Sequence, residues 1–480
     1  MNPSAQTSAA PFAAGAAQPA TVPLWWRLAC GHAAVLALAI ALAVSLLEVG
    51  AALLDAAWLA ALPPLLVAIP AALLFWQAQP RRDVRPEGQL LRAEDAPHLF
   101  RTLAKLRRRL GSPRLAQVVI DDSFSVGLRH SWPFGFFGPA RHTLVVGLPV
   151  MQMLSRRELC ALVAQTLAAH SHRRGRRACL TRHLLDAWQA PATTAPRRRR
   201  EALLHAWLDH LAPHARTWEA AERFEADGLA GEIVGRQTLG DALVALELRT
   251  RFMQNRFWQG LWARADHLAA PPFLPHATMR AALGAGLTHA CAQTWLDELL
   301  RPDATPATPQ LRERLQALRA LPEAAPEAVH SAAQSLLGET LTRLQQAFDQ
   351  RWLELNASNW RLRFHSATSA RETVRRMQGR DSLLLGPEEL AHYGLALDTL
   401  GRPDEALPLL CRAATHANGS AEAAFAAARL LHARDAAESQ RFLALAHQRD
   451  PASRLRPLER RGRERSALSV MNRAPGAESA

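Results

Sequence analysis

Residues able to hold a metal or move a proton are plentiful in this chain, so their spacing must decide what they do. The 19 histidines invite zinc, which takes neutral imidazole readily. His210 and His214 have the four-residue spacing that puts two rings on one helix face, but Pro213 lies between them and no glutamate is placed to activate a water. His170 and His172 are two apart and face different ways on a helix. The cysteines Cys30, Cys160, Cys179, Cys291 and Cys411 form no Cys-x-x-Cys pair, which argues against a metal knuckle or a disulfide framework. A hydrolytic zinc site needs two histidines at one helical face, a carboxylate base between them and a third ligand from elsewhere.

The element best suited to carry such a site is residues 154–172, LSRRELCALVAQTLAAHSH. Ser155 and Glu158 form a Ser-x-x-Glu capping box, and Leu159, Leu162, Val163, Leu167 and His170 recur at helical spacing, which predicts a helix starting near Arg156. Ahead of it, residues 97–111 read as a helix and 117–121 as a strand. A Gly/Phe/Pro-rich loop follows through 138, then 143–147 as a second strand. From Thr217 onward the pattern is successive amphipathic helices, interrupted at 271–272, 301–309 and 321–326. Abundant alanine and leucine with one tyrosine favour helix over sheet. The expected fold is mainly α with a small β-sheet.

Glu158-Leu159-x-Ala161-Leu162-Val163-Ala164 resembles the run leading into the His-Glu-x-x-His motif of HtpX-like and CAAX prenyl protease-like membrane zinc metallopeptidases, which are of gluzincin type. Gly147-Leu148-Pro149 and Leu154-Ser155 resemble that family's strand end and helix cap, and Phe224-Glu225-Ala226-Asp227 resembles its second motif. Thr308-Pro309 followed by Arg314 resembles its His-Pro and arginine motif, with the histidine replaced. The likeness spans roughly residues 85–363 and implies an α+β metallopeptidase-like domain. It puts the metal-ligand slots on Gln165, Ala169 and Arg223, the general-base slot on Thr166, and Asp227 and Arg314 in supporting places around the site. It also implies an edge strand for peptide at Thr143, Leu144, Val145, Val146 and Gly147, where a segment could be held by strand addition without being cut.

The reaction does not survive these replacements. Glutamine and alanine do not stand in for two imidazoles, threonine has no carboxylate to deprotonate a water, and the guanidinium in the third slot repels a divalent cation. The expectation is a pseudopeptidase with no catalytic residue, no metal and no cofactor, in which Arg223 occupies the vacated position and donates to Gln165 and Asp227. Zinc returns as cofactor only under the alternative, an active endopeptidase of membrane protein quality control with atypical ligands. A third reading is a structural membrane adaptor.

Residues 1–24 are Ala/Pro/Ser-rich and uncharged, a disordered lead. Residues 28–47 and 56–76 are then two uncharged apolar runs, each long enough for a bilayer core of ~30 Å. Glu48 and Asp55 fall in the connection, Arg27 precedes it, and Arg81, Arg82 and Arg85 follow, so a hairpin across the inner membrane with both flanks cytoplasmic is expected within 25–78. A signal peptide fits poorly, because no basic segment precedes the first run. The net charge of +14 suits anionic headgroups, at clusters such as 107–109, 173–177 and 197–200, each residue contributing roughly 1 kcal/mol. No nucleic-acid motif accompanies these arginines, and no nucleic-acid partner is expected.

After a metallopeptidase-like domain at 85–380, residues 381–452 change character. Tyr393 to Gly401 with Glu405-Ala406-Leu407 and Cys411-Arg412-Ala413 resembles a tetratricopeptide unit, and 427–446 reads as a weaker copy about 33 to 34 residues on. Stacked units of that kind offer a concave surface to protein partners. A basic tail, 453–480, closes the chain and is expected to be disordered.

Overall fold

The computed structural model describes residues 23–55, 58–78, 88–132, 140–192, 202–301, 310–324, 330–432 and 434–450. The expectations for residues 1–22, Arg81, Arg82, Arg85, 197–200, Thr308 and the tail 453–480 lie outside the described residues. In chain order the elements begin with α1 (Leu24–Leu54), α2 (Leu62–Ala78), β1 (Gln89–Leu91), α3 (Pro97–Leu110), β2 (Leu115–Asp121), β3 (Val126–Ser131) and β4 (Arg141–Gly147). Helices α4 (Leu148–Met153), α5 (Arg156–Ala168), α6 (Arg176–Ala192), α7 (Ala202–Val234), α8 (Arg236–Phe252), α9 (Trp258–Ala263), α10 (Pro275–Gly286), α11 (His289–Leu299) and α12 (Leu311–Leu318) follow. The chain ends with α13 (Ala332–Leu337), α14 (Thr340–Met377), α15 (Pro387–Thr399), α16 (Pro403–Thr415), α17 (Ala421–Leu431) and α18 (Ala436–Arg449). The protein is mainly helical with one small mixed sheet. It divides into two compact units, one of Met1–Arg85, His130–Arg141 and His170–Arg223, the other of Pro86–Arg129, His142–Ala169 and Phe224–Ala480.

In the second unit β2 runs antiparallel to β1 and parallel to β4, and the sheet order is β1-β2-β4-β3. Val118 pairs with Leu144, Val119 with Val145 and Ile120 with Val146. All six are buried, as a strand covered on both faces requires. Two expectations change here. The loop expected through 138 contains β3, whose residues are nearly all half-buried and so carry no inside-outside alternation. Thr143 to Gly147 is not an edge strand, because β4 lies between β2 and β3; its unbroken apolar run marks an interior strand.

Helix α5 starts with the capping box: Glu158 N–H donates to Ser155 Oγ at 3.2 Å, and Ser155 N–H donates to Glu158 Oε2 at 2.6 Å. The same carboxylate oxygen accepts from Arg249 Nη1 of α8 at 2.9 Å, with both side chains buried. One glutamate thus caps α5 and ties it to α8. Farther along the unit, α17 begins 34 residues after α15 and α18 begins 33 after α16. The four helices share an alanine- and leucine-rich core with Val374 and Met377 of α14. Gly394 lets α15 and α16 touch, since a Cβ there would lie 2.7 Å from Leu410 Cγ. Arg429 pairs with Asp398, and Arg434 with Asp404 at 2.6 Å, linking the second helix pair to the first.

In the first unit α1 is long and apolar enough to cross a membrane. Its beginning is packed: Leu24, Leu28, Gly31 and Val35 are buried, and a Cβ at Gly31 would come within 2.9 Å of the Trp188 ring of α6. Trp188 Nε1 donates to His32 Nδ1 at 3.0 Å. Beyond Val35 the helix turns bare, with Leu36, Ile40, Val44, Leu47, Leu53 and Leu54 exposed. The expected connection moves, because α1 runs on to Leu54 and takes Glu48 into the helix. The expected second run is divided into a 3₁₀ turn, Trp58–Ala61, and the 17-residue α2, with Pro70 inside it. Pro213 does not break α7 either, which has 33 residues and absorbs the one backbone hydrogen bond a proline forfeits.

Candidate functional site

The slots of α5 carry side chains that do not coordinate. Thr166 Oγ1 donates back to the Leu162 carbonyl at 2.9 Å, an ordinary helical bond for threonine. Gln165 is half-buried, and Ala169, one residue past the helix, packs its methyl against the hydrophobic core. Arg223 is half-buried on α7. Asp227 is 1 % exposed, and its two oxygens accept from Arg314 Nε and Nη2 at 2.8 and 2.9 Å. The fold therefore brings Asp227 and Arg314 together in a bidentate pair. An amide, a hydroxyl turned to its own backbone, a methyl and a guanidinium do not fit a zinc ion.

Chemistry-bearing side chains converge elsewhere. His130 from the end of β3, His170 from the turn after α5 and Asp186 from α6 bring one donor atom each to within 4.8 Å of one another. His130 Nε2 lies 3.4 Å and His170 Nε2 3.5 Å from Asp186 Oδ2, with side-chain exposures of 9 %, 12 % and 7 %. The two rings are 4.7 Å apart between centroids. Asp186 is aimed by its other oxygen, since Arg182 Nη2, one helical turn earlier, meets Oδ1 at 2.5 Å. Arg182 Nη1 also donates to Glu222 Oε2 at 2.8 Å, and Arg174 donates to Glu222 Oε1. Two guanidiniums thus balance two carboxylates. Trp132, 1 % exposed, packs beside His130 at 6.0 Å and His183 at 6.3 Å, drying that side of the group.

The electrostatics follow from this arrangement. Burial alone would raise the Asp186 carboxyl, but Arg182, His130 and His170 hold it well below the ordinary 3.8. Burial alone would lower Arg182, and the charges of Asp186 and Glu222 reverse that and raise it. Burial keeps the His183 imidazole below its usual value, against the pull of Asp186. Spacing along the chain does not reveal the group, because its members come from three distant segments; only Arg182 and Asp186, four apart, leave a local trace.

A second buried histidine and aspartate pair differs in build. Asp349 of α14 accepts from the backbone of His276 at 2.8 Å, from His276 Nδ1 at 3.0 Å and from the backbone of Ala277 at 3.1 Å, capping the start of α10. Asp121, at the end of β2, accepts from Ser123 Oγ at 2.7 Å and Ser123 N at 3.2 Å, and burial pushes its carboxyl up to about 6.

No protein-family model, curated protein or solved structure matches this chain.

Proposed function

We propose that this chain is a membrane-anchored, non-catalytic relative of the HtpX-like metallopeptidases that binds protein or peptide partners for assembly, quality control or regulation. The observation that carries the reading is an α5 with its capping box and buried Glu158–Arg249 pair in place, while Thr166 spends its hydroxyl on Leu162 and Ala169 contributes a methyl. A frame kept together with a donor set replaced is what loss of a reaction within a retained fold leaves behind.

Anchoring is supported by the exposed apolar length of α1 beyond Val35, 19 residues or about 28 Å of helix. With α2 it would form a hairpin in the inner membrane, the chain beyond the hairpin facing the cytoplasm. Partner binding is supported by the helix pairs α15/α16 and α17/α18, whose period matches tetratricopeptide units, and by Leu383 and Leu384, exposed at 75 % and 83 % just before α15. An extended peptide would add at β3, the end strand of the sheet next to β4.

Photo-crosslinkers at the exposed positions His392 and Glu422 of the repeats and Arg129 of β3 test this in cells. Protein adducts are expected from the repeat positions, above those from exposed Arg375 on α14. Adducts no more abundant than at Arg375 from any of the three would overturn the binding role.

A further inference from the structure

We infer that His130, His170 and Asp186 form a binding site for a divalent transition metal of the zinc class, distinct from the replaced slots of α5. Donor chemistry selects the class: two imidazoles and one carboxylate suit zinc and its neighbours, whereas calcium and magnesium take all-oxygen sites. The distances also fit a metal. A charge-assisted N–H to carboxylate bond runs at about 2.7–2.9 Å, while tetrahedral zinc at ~2.0–2.1 Å from its ligands sets neighbouring donors roughly 3.4 Å apart. The two histidines stand 3.4 and 3.5 Å from Asp186 Oδ2. His276 and Asp349, bonded directly, stand at 3.0 Å in the same protein.

The surroundings are those of a built site. Arg182 fixes the free direction of the Asp186 carboxylate, as the partners of metal-ligating groups do. Trp132 shields one flank, and the two arginines beside the group are balanced by two carboxylates. Glu222 is held by Arg174 and Arg182 and is not poised to take a proton from a metal-bound water. The ion's role is a staple joining the end of β3 at His130 to His170 and to α6 at Asp186 within one unit.

The test uses full-length protein in detergent, stripped with chelator and then titrated with zinc or cobalt(II). The expected results are one tightly held zinc per chain, visible cobalt bands of a low-coordinate nitrogen and oxygen site, and a melting temperature that rises with zinc. His130→Ala and His170→Ala should each lose all three; His210→Ala, which removes half of the four-spaced pair, should lose none. Should the alanine variants fail to fold by circular dichroism, His130→Asn and His170→Gln replace them, and the wild-type cobalt spectrum stands without any variant. Absence of retained zinc and of cobalt bands in the wild type, or zinc kept by the His130 and His170 variants, would overturn the site. Cleavage of substrate is a separate readout: it bears on the loss of catalysis and not on whether the ion binds.

Discussion

His276 with Asp349, and His130 and His170 with Asp186, are both buried histidine and aspartate groups, yet one is closed and the other spread. Asp349 accepts two backbone N–H groups and one imidazole within 3.1 Å, so its lone pairs are used inside the fold and its work is to cap α10. Asp186 commits one oxygen to Arg182 and turns the other to two rings at 3.4 and 3.5 Å. A histidine beside a buried aspartate is therefore no sign of a ligand site by itself. The two groups differ in how far the carboxylate is saturated by donors inside the fold, and that difference is what the proposed ion site rests on.

The sharpest way to break the comparison is Asp349→Ala. It orphans three donors at a site 2 % exposed and should cost about 3–5 kcal/mol, the same with zinc or with chelator, read by chemical denaturation. Asp186→Asn should instead show a metal-dependent loss. Wild type at zinc near 100 times its Kd gains roughly 2.7 kcal/mol over its stripped form, and the variant gains nothing. Because Asp186 is held below its ordinary 3.8, its ionic contribution in stripped protein is present above that pH and is lost as pH falls beneath it.

Asp121 sharpens the contrast as a buried aspartate hydrogen-bonded to a serine rather than to an arginine. Its folded value near 6 lies above the ordinary 3.8, so the folded state holds the proton more tightly and stability declines as pH rises from about 4 through 6. Asp121→Asn should flatten that decline and, at pH 8, exceed wild type by on the order of 2 kcal/mol in a pH series of denaturation curves. The smallest effect belongs to the exposed Arg434–Asp404 pair between the two C-terminal helix pairs. Arg434→Ala should change the melting free energy by no more than ~0.5 kcal/mol, and a larger loss would mean the helix pairs depend on that link.

What the sequence made legible follows from the range of each signal. The capping box at Ser155 and Glu158 acts over three residues and the period of α5 over one face, so both are found where expected. The 34-residue return of α15 in α17 is likewise local to each helix pair. The strand β3 escapes the sequence pattern because its half-buried residues lack alternation, and β4 is interior where the family likeness implies an edge, as the continuous apolar run Leu144, Val145 and Val146 fits. The partner of Asp227 lies 87 residues on, in Arg314, a pairing no local signal carries; the family likeness places both around one site without joining them. Convergence of His130, His170 and Asp186 depends on three segments folding together, and no window along the chain contains it.

The most direct test of the account is casein cleavage by zinc-loaded full-length protein, compared with chelator-treated protein. Intact casein is expected in both, with zinc bound in the first, if α5 lacks a base and the proposed ion is a staple. Cleavage that chelator stops and zinc restores would contradict it.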